Sequence, residues 1–329
     1  MNQTKMFFLL ILFISGLITM SSETWIGMWM GMEINLMAFI PLISKSKNKN
    51  SSQSTMMYFL TQSIGSIIFL FSILMNSLII MTPYIEKYMN CILIISLSVK
   101  LGVAPFHYWL PEIMCNMEWT ECFLLMTWQK IPPMIVMMNL NLNKIIYLFI
   151  MLSAAIGAIG GINNTSLRKI MAYSSINHMS WMLFLMIMKS QWYIYLIIYS
   201  VLVGMQCYMF KIYNMFFFNQ VASTLPSLTE KMSFISLMMS MGGLPPLLGF
   251  LPKWMVIYSF VNTNMIIMMT WMIMFSLLTL FYYLQMMTPL MLNYSVVNKY
   301  TYKLSNSMLN SFILIINFML PCFSILNMF

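Results

Sequence analysis

Six ionisable side chains stand in stretches that are otherwise apolar: Glu33, Lys100, Lys130, Lys253, His107 and His178. Charge at membrane depth is costly, and it marks an ion or proton path unless a static pair explains it. The chemistry these residue types offer is proton exchange. Burial favours the neutral form of a lysine and a neighbouring carboxylate favours the charged form, so a small change in hydration or distance moves a proton on or off. Arginine would not serve, because it does not lose its charge.

Two of the lysines lie beside interruptions of the same design. LSVKLGVAPFHYWLP (97–111) and GLPPLLGFLPK (243–253) share one punctuation, with Gly102, Pro105 and Pro111 spaced as Gly243, Pro246 and Pro252. A proline inside a membrane helix frees a carbonyl one turn back, which is tolerated only where protein or trapped water satisfies it. Both stretches therefore read as broken helices lining a wet cavity.

The elements that must carry these groups are apolar runs near 4–21, 25–43, 56–81, 91–110, 122–140, 145–162, 167–188, 192–210, 231–261, 263–291 and 308–328. The fold expected is an all-α integral membrane protein of about 11 transmembrane helices. The fourth and ninth are the broken ones. Five crossings separate them, so they run in opposite directions, as in two inverted five-helix repeats over about 4–143 and 144–292, followed by a C-terminal helix at 308–328. The whole chain, 1–329, reads as a single transmembrane domain. At ~1.5 Å per residue, Glu33, Lys100, Lys130, Lys253 and His178 each lie ~12 Å or more inside a ~30 Å core, near one level. Trp25, Trp119 and Trp192 fall where helices would enter the interface.

Basic residues in the loops test this layout. Lys5, Lys45, Lys47, Lys49, Arg168, Lys169, Lys211, Lys231, Lys299 and Lys303 fall on the side of the N-terminus, and only Lys87, Lys144 and Lys189 fall on the other. Such a bias marks a cytoplasm-like side.

Composition excludes the main rivals. Hydrophobic residues make up 61% of the chain and charged residues 7%, where soluble domains carry about a quarter charged. The net charge of +9 is explained by topology, so no nucleic-acid partner is expected. The five cysteines form no CxxC pair, which supports neither a disulfide framework nor a metal site. No nucleotide or metal motif is recognisable, so no cofactor is expected in this chain. Gly157, Gly160 and Gly161 suit close helix packing. The apolar run after Lys5 suits a first transmembrane helix better than a signal peptide, given the spans that follow. The 43 methionines look like the codon usage of an AT-rich organelle genome.

Blander readings stand beside these. Glu33 and Lys100 also suit a static buried pair, Lys130 a cap for carbonyls freed near Pro132 and Pro133, and Lys253 snorkelling to an interface. His107 and His178 also suit satisfied core histidines. Glu112, Glu118 and Glu121 read as a solvated, partner-facing surface. The KSKNK run at 45–49 suits topology control, with contact to anionic phospholipid such as cardiolipin as the alternative.

Five segments together, WMGMEINLMAFIPL, KLGVAPFHYWLPE, LMTWQKIPP, NNTSLRKIMAYSSINHMSWM and GGLPPLLGFLPKW, closely resemble the antiporter-like membrane subunits of mitochondrial respiratory complex I, in a short, Met-rich form of invertebrate type. The resemblance implies a proton-translocating subunit, with Glu33 and Lys100 as a coupled pair, Lys130 as the connecting lysine, Lys253 as the terminal one, and His107 and His178 on a central hydrated axis. It further implies a place in the mitochondrial inner membrane, N-terminus in the matrix and C-terminus in the intermembrane space, among other membrane-arm subunits. NADH, flavin, iron-sulfur clusters and ubiquinone would belong to other subunits. The bacterial members have fourteen spans, three more at the N-terminus than this chain. The second half has no acid matching Glu33, which speaks against a symmetric two-channel mechanism. A free-standing cation/proton antiporter and a structural membrane-arm spacer remain the alternatives.

Overall fold

The computed structural model describes residues 3–44, 49–78, 83–140, 144–225, 227–261, 265–292 and 307–320. Among them the chain is all-helical, with one isolated antiparallel bridge, Ser166 to Phe217. The elements are α1 (Gln3–Ser21), α2 (Trp25–Ile43), α3 (Lys49–Leu78), α4 (Pro83–Leu101), α5 (Trp109–Asn116), α6 (Trp119–Met126), a 3₁₀ turn (Trp128–Lys130), α7 (Ile131–Met138), α8 (Ile145–Ile162), α9 (Leu167–Ile187), α10 (Trp192–Ile212), α11 (Phe218–Thr224), α12 (Leu228–Gly242), α13 (Phe250–Val261), α14 (Ile266–Leu292) and α15 (Ser307–Asn317). Seven of these, α1, α2, α3, α8, α9, α10 and α14, are long and apolar enough to cross a membrane. Lys45, Lys47, Lys299, Lys303 and the end of the expected 308–328 helix lie outside the described residues.

Three expected runs are each divided in two, and the residues at the divisions explain why. Gly102 closes α4 at φ +68 and Gly243 closes α12 at φ +79, the left-handed region that glycine enters at least cost. Carbonyls freed at each break are met by side chains of the same unit. Gln62 Nε2 donates to Lys100 O at 3.2 Å and Trp109 Nε1 to Val99 O at 3.1 Å. Lys253 Nζ donates to Gly242 O at 2.7 Å. The Leu248 N–H reaches Asn317 O, at the end of α15, at 3.0 Å.

The third division corrects the expectation of a continuous helix over 122–140. The chain stops at Met126, turns once through Trp128–Lys130 and restarts as α7. Thr127 Oγ1 donates to Phe123 O at 2.7 Å, and Pro132 and Pro133 occupy the first turn of α7, where a missing N–H costs nothing. The prolines start a helix here.

The chain forms two compact units, Met1–Leu152 and Ser153–Phe329, divided inside α8. In the first, α1 lies along α2 so closely that a Cβ on Gly31 would come within 2.4 Å of Thr19 Cγ2. There α2, α4 and α5 pack on α3, while α7 sits against α1, α2 and α4. In the second unit α9 is buried on nearly every face and α10, α13 and α14 surround it. Gly157 lets α8 meet the α9 backbone, where a Cβ would lie 2.6 Å from Asn177 N.

Trp119 and Trp192 begin α6 and α10 and are buried in their units. One expectation needs correcting. Glu121 is 5% exposed. It accepts from the Glu118 N–H at 3.0 Å as a helix cap and pairs with Lys5 at 3.8 Å, whereas Glu112 and Glu118 are exposed as expected.

Candidate functional site

In the first unit the sequence delivers Lys100 to the last turn of α4 and Lys130 to the end of the 3₁₀ turn. Both are buried, at 6% and 3% exposure. They line one cavity of ≈ 20 Å³ together with Tyr58, Gln62, Leu101, Trp109, Leu110, Leu125 and Gln129. A second cavity of similar volume shares Tyr58, Gln62, Lys100 and Gln129 and adds Met32, Asn35, Leu36, Pro132 and Pro133. Each has room for about one water molecule.

The walls between the two lysines are polar and mutually bonded. Tyr58 donates to Gln129 Oε1 at 3.1 Å, and Gln129 Nε2 donates to Asn35 Oδ1 at 2.9 Å. Gly65 makes room for the lysine stem, since a Cβ there would stand 3.0 Å from Lys100 Cγ. The Lys100 ammonium lies 3.9 Å from Met32 Sδ.

Glu33 forms no ion pair with Lys100 among the described residues. Its field reaches Lys100 and Tyr58, and its Oε1 is buried without a hydrogen-bond partner. The static pair entertained from the sequence is therefore not formed. His107 sits in the α4–α5 break, its Nδ1 3.2 Å from Pro105 O and its ring 5.2 Å from that of Tyr108. It lines neither cavity.

In the second unit His178 is buried on α9, its Nδ1 2.8 Å from Tyr195 OH and its ring 4.9 Å from that of Tyr199. Lys253, in the first turn of α13, turns its ammonium onto the carboxyl end of α12. That end carries unsatisfied carbonyls and the negative pole of the helix dipole, so it holds a cation well. The same ammonium lies 6.0 Å from the Trp181 ring, one turn along α9 from His178. Lys253 is 5% exposed and bonded inside the fold, so snorkelling does not describe it.

Gln62, Gln129, Asn35 and Tyr58 escaped the sequence reading. Neutral polar residues occur throughout membrane helices, and only the three-dimensional meeting of four of them around Lys100 sets these apart. Gln129→Leu is expected to leave the Tyr58 hydroxyl and the Asn35 amide without partners. That costs about 1–3 kcal/mol, read as a lowered thermal midpoint of the detergent-solubilised protein. An unchanged midpoint would mean the cluster rearranges freely.

Among the described residues no cluster of His, Cys, Asp or Glu is placed to hold a metal ion. Residues 22–279 match the family described as NADH:quinone oxidoreductase/Mrp antiporter, transmembrane. The chain is 41% identical over 288 residues to NADH-ubiquinone oxidoreductase chain 2 of Locusta migratoria, covering 86% of this chain and 84% of the relative. It is 40% identical over 323 residues to that of Anopheles gambiae, covering 94% and 93%. With that of Mus musculus the identity is 37% over 281 residues, covering 83% and 81%. Among solved structures, a chain of respiratory complex I from Thermus thermophilus superposes with a TM-score of 0.84 at 15% identity, over 96% of this chain and 76% of that one. A chain of the Mrp complex from Dietzia sp. gives a TM-score of 0.73 at 13% identity, over 86% and 59%. These last two likenesses are of fold. The family match over most of the chain and the identities above 30% establish that this protein belongs to the NADH:quinone oxidoreductase/Mrp antiporter family of membrane proteins.

Proposed function

We propose that the chain is a proton-translocating, antiporter-like membrane subunit of NADH:ubiquinone oxidoreductase in the mitochondrial inner membrane, coupling redox chemistry in other subunits to proton transfer. The observation that carries this is the pair Lys100 and Lys130 on one small polar cavity, in a chain whose relatives are named NADH-ubiquinone oxidoreductase chain 2. A proton on Lys100 passes to Lys130 through water held by Tyr58, Gln62 and Gln129, and the Glu33 carboxylate biases which lysine keeps it. In the second unit His178 is a further carrier and Lys253, on the carboxyl end of α12, the terminal one. The place of His107 is at the α4–α5 break.

The remaining assignments extend the same reading. The two glycine-ended breaks are counterparts in inverted repeats of about eleven spans, supported by their shared spacing and left-handed closures. The N-terminus lies in the matrix and the C-terminus in the intermembrane space. The Lys5–Glu121 pair, which holds the starts of α1 and α6 together, suits four crossings between them. NADH, flavin, iron-sulfur clusters and ubiquinone reside in other subunits, and partners are the other membrane-arm subunits and anionic phospholipid such as cardiolipin.

Native electrophoresis of detergent-solubilised mitochondrial membranes, followed by mass spectrometry, is expected to place the chain in a large complex that oxidises NADH. A tag at its N-terminus should be protected from protease in mitoplasts. The fold likeness to the Mrp complex favours one other reading, a free-standing cation/proton antiporter. Recovery of the chain outside any NADH-oxidising complex, with ion transport by the purified chain in vesicles, would replace the proposal with that one.

A further inference from the structure

The second unit buries more hydroxyl groups around His178 than packing calls for. Tyr195 and Tyr199 lie four residues apart and so on one face of α10, and both are at most 2% exposed. Tyr195 OH meets His178 Nδ1 at 2.8 Å, and the Tyr199 ring lies against the imidazole. The Tyr199 hydroxyl is beside Ser175 and within electrostatic range of both Tyr195 and Tyr283. On α14 the Tyr282 and Tyr283 rings are 4.7 Å apart, and among the described residues the hydroxyls of both are buried without a hydrogen-bond partner. Small residues on α8 make this possible, because a Cβ on Gly161 would lie 2.6 Å from the Tyr282 ring.

A phenylalanine would fill each of these ring positions without a hydroxyl to desolvate, and burying a hydroxyl is costly unless it is bonded. What a phenol, a serine hydroxyl and an imidazole share is that each donates and accepts a hydrogen bond at once. That property is needed of every member of a proton-hopping chain and of no packing residue.

We propose that Tyr195, Tyr199 and Tyr283 are proton-carrying residues of the second unit, passing protons to and from His178 along the hydroxyl groups that line α9. The inference rests on the reading of this chain as proton-translocating. A proton arriving at Nε2 of His178 releases the Nδ1 proton to the Tyr195 oxygen as the phenolic proton passes on toward the Tyr199 oxygen. No phenolate accumulates and the proton count of each group is kept; His178 is left as its other tautomer, so the path is reset by return of the imidazole proton to Nδ1 together with reorientation of the hydroxyls. The hydroxyls of Ser174 and Ser175 donate to Met171 O at 2.8 Å and Ala172 O at 2.7 Å, on the same stretch of α9.

The experiment uses the intact NADH-oxidising complex carrying Tyr195→Phe, Tyr199→Phe or Tyr283→Phe, with Lys130→Met beside them. Each phenylalanine keeps the ring and removes only the hydroxyl. The expected result is normal assembly and normal NADH oxidation in uncoupled membranes, with proton transfer slowed by roughly 100-fold and fewer protons moved per electron pair. Tyr195→Phe combined with Tyr199→Phe should be no worse than either alone, because the groups act in series.

Wild-type stoichiometry in all three phenylalanine variants, together with loss in Lys130→Met, would overturn this inference and leave the proposed function standing. Wild-type stoichiometry in Lys130→Met as well would overturn both. Should Tyr195→Phe fail to assemble, infrared difference spectra of the unaltered complex decide. A coupled tyrosine–histidine band that shifts in deuterium oxide during turnover supports the relay, and no such band overturns it.

Discussion

Lys130→Met in the assembled complex is expected to lower the number of protons moved per electron pair while leaving NADH oxidation in uncoupled membranes intact. Methionine matches the lysine stem in bulk and keeps the apolar contacts of a residue only 3% exposed, so the 3₁₀ turn and α7 should form as before. What disappears is the second ammonium on the cavity that Lys100 also lines. A positioned acid–base group contributes about 100-fold or more to a proton transfer, enough for this step to stall on the time scale of turnover. Lys130→Arg should fail as well, since guanidinium keeps its proton. A lysine present only to cap the carbonyls freed near Pro132 and Pro133 would tolerate arginine. Unchanged proton stoichiometry in Lys130→Met, with normal assembly, would remove Lys130 from the path.

Gly243→Ala should silence the second unit from a position that bears no chemistry. A Cβ there would fall 2.7 Å from Lys253 Cδ, 2.8 Å from its Nζ and 2.9 Å from its Cε. Backbone this close to a flexible side chain evicts the side chain, so the ammonium leaves the Gly242 carbonyl that it meets at 2.7 Å. The left-handed conformation adds a cost of about 1–3 kcal/mol. Gly102→Ala is the control. It carries the same kind of strain at φ +68, but its Cβ would meet Leu110 and the Trp109 ring at 3.1 Å and no lysine. Both variants are expected to lower the thermal midpoint of the complex to a similar degree, while Gly243→Ala alone matches Lys253→Met in its loss of proton transfer. Equal transport in the two glycine variants would mean that strain, and not the place of Lys253, sets the outcome.

The contrast between these positions says what was readable beforehand. Lys100, Lys130 and Lys253 announce themselves because a charge in an apolar run has no cheap explanation. The glycine-proline spacing around 102 and 243 announces a break because proline and left-handed glycine act on their own backbone. Where the outcome depended on a neighbour from elsewhere in the chain, sequence reasoning stopped short. It took Glu121 for a solvated acid, when Lys5, more than a hundred residues earlier, turns toward it. It passed over Gln129 because nothing local distinguishes a glutamine bonded to Tyr58 and Asn35 from one facing lipid headgroups. It ran a helix through Thr127, since Pro132 and Pro133 suit the first turn of a new helix as well as a kink in an old one.

By itself, then, the sequence determined that this protein is an all-helical membrane chain, where two of its helices break, and which ionisable side chains stand in its apolar runs. These follow from local cost: hydrocarbon penalises each charge and each unpaired amide wherever it occurs. Only the tertiary structure decided that Lys100 and Lys130 share a cavity, that Glu33 stands near Lys100 without pairing, and that Lys253 rests on the carboxyl end of α12. Those are relations between segments tens of residues apart, set by how helix faces interlock, and no property of either segment alone carries them.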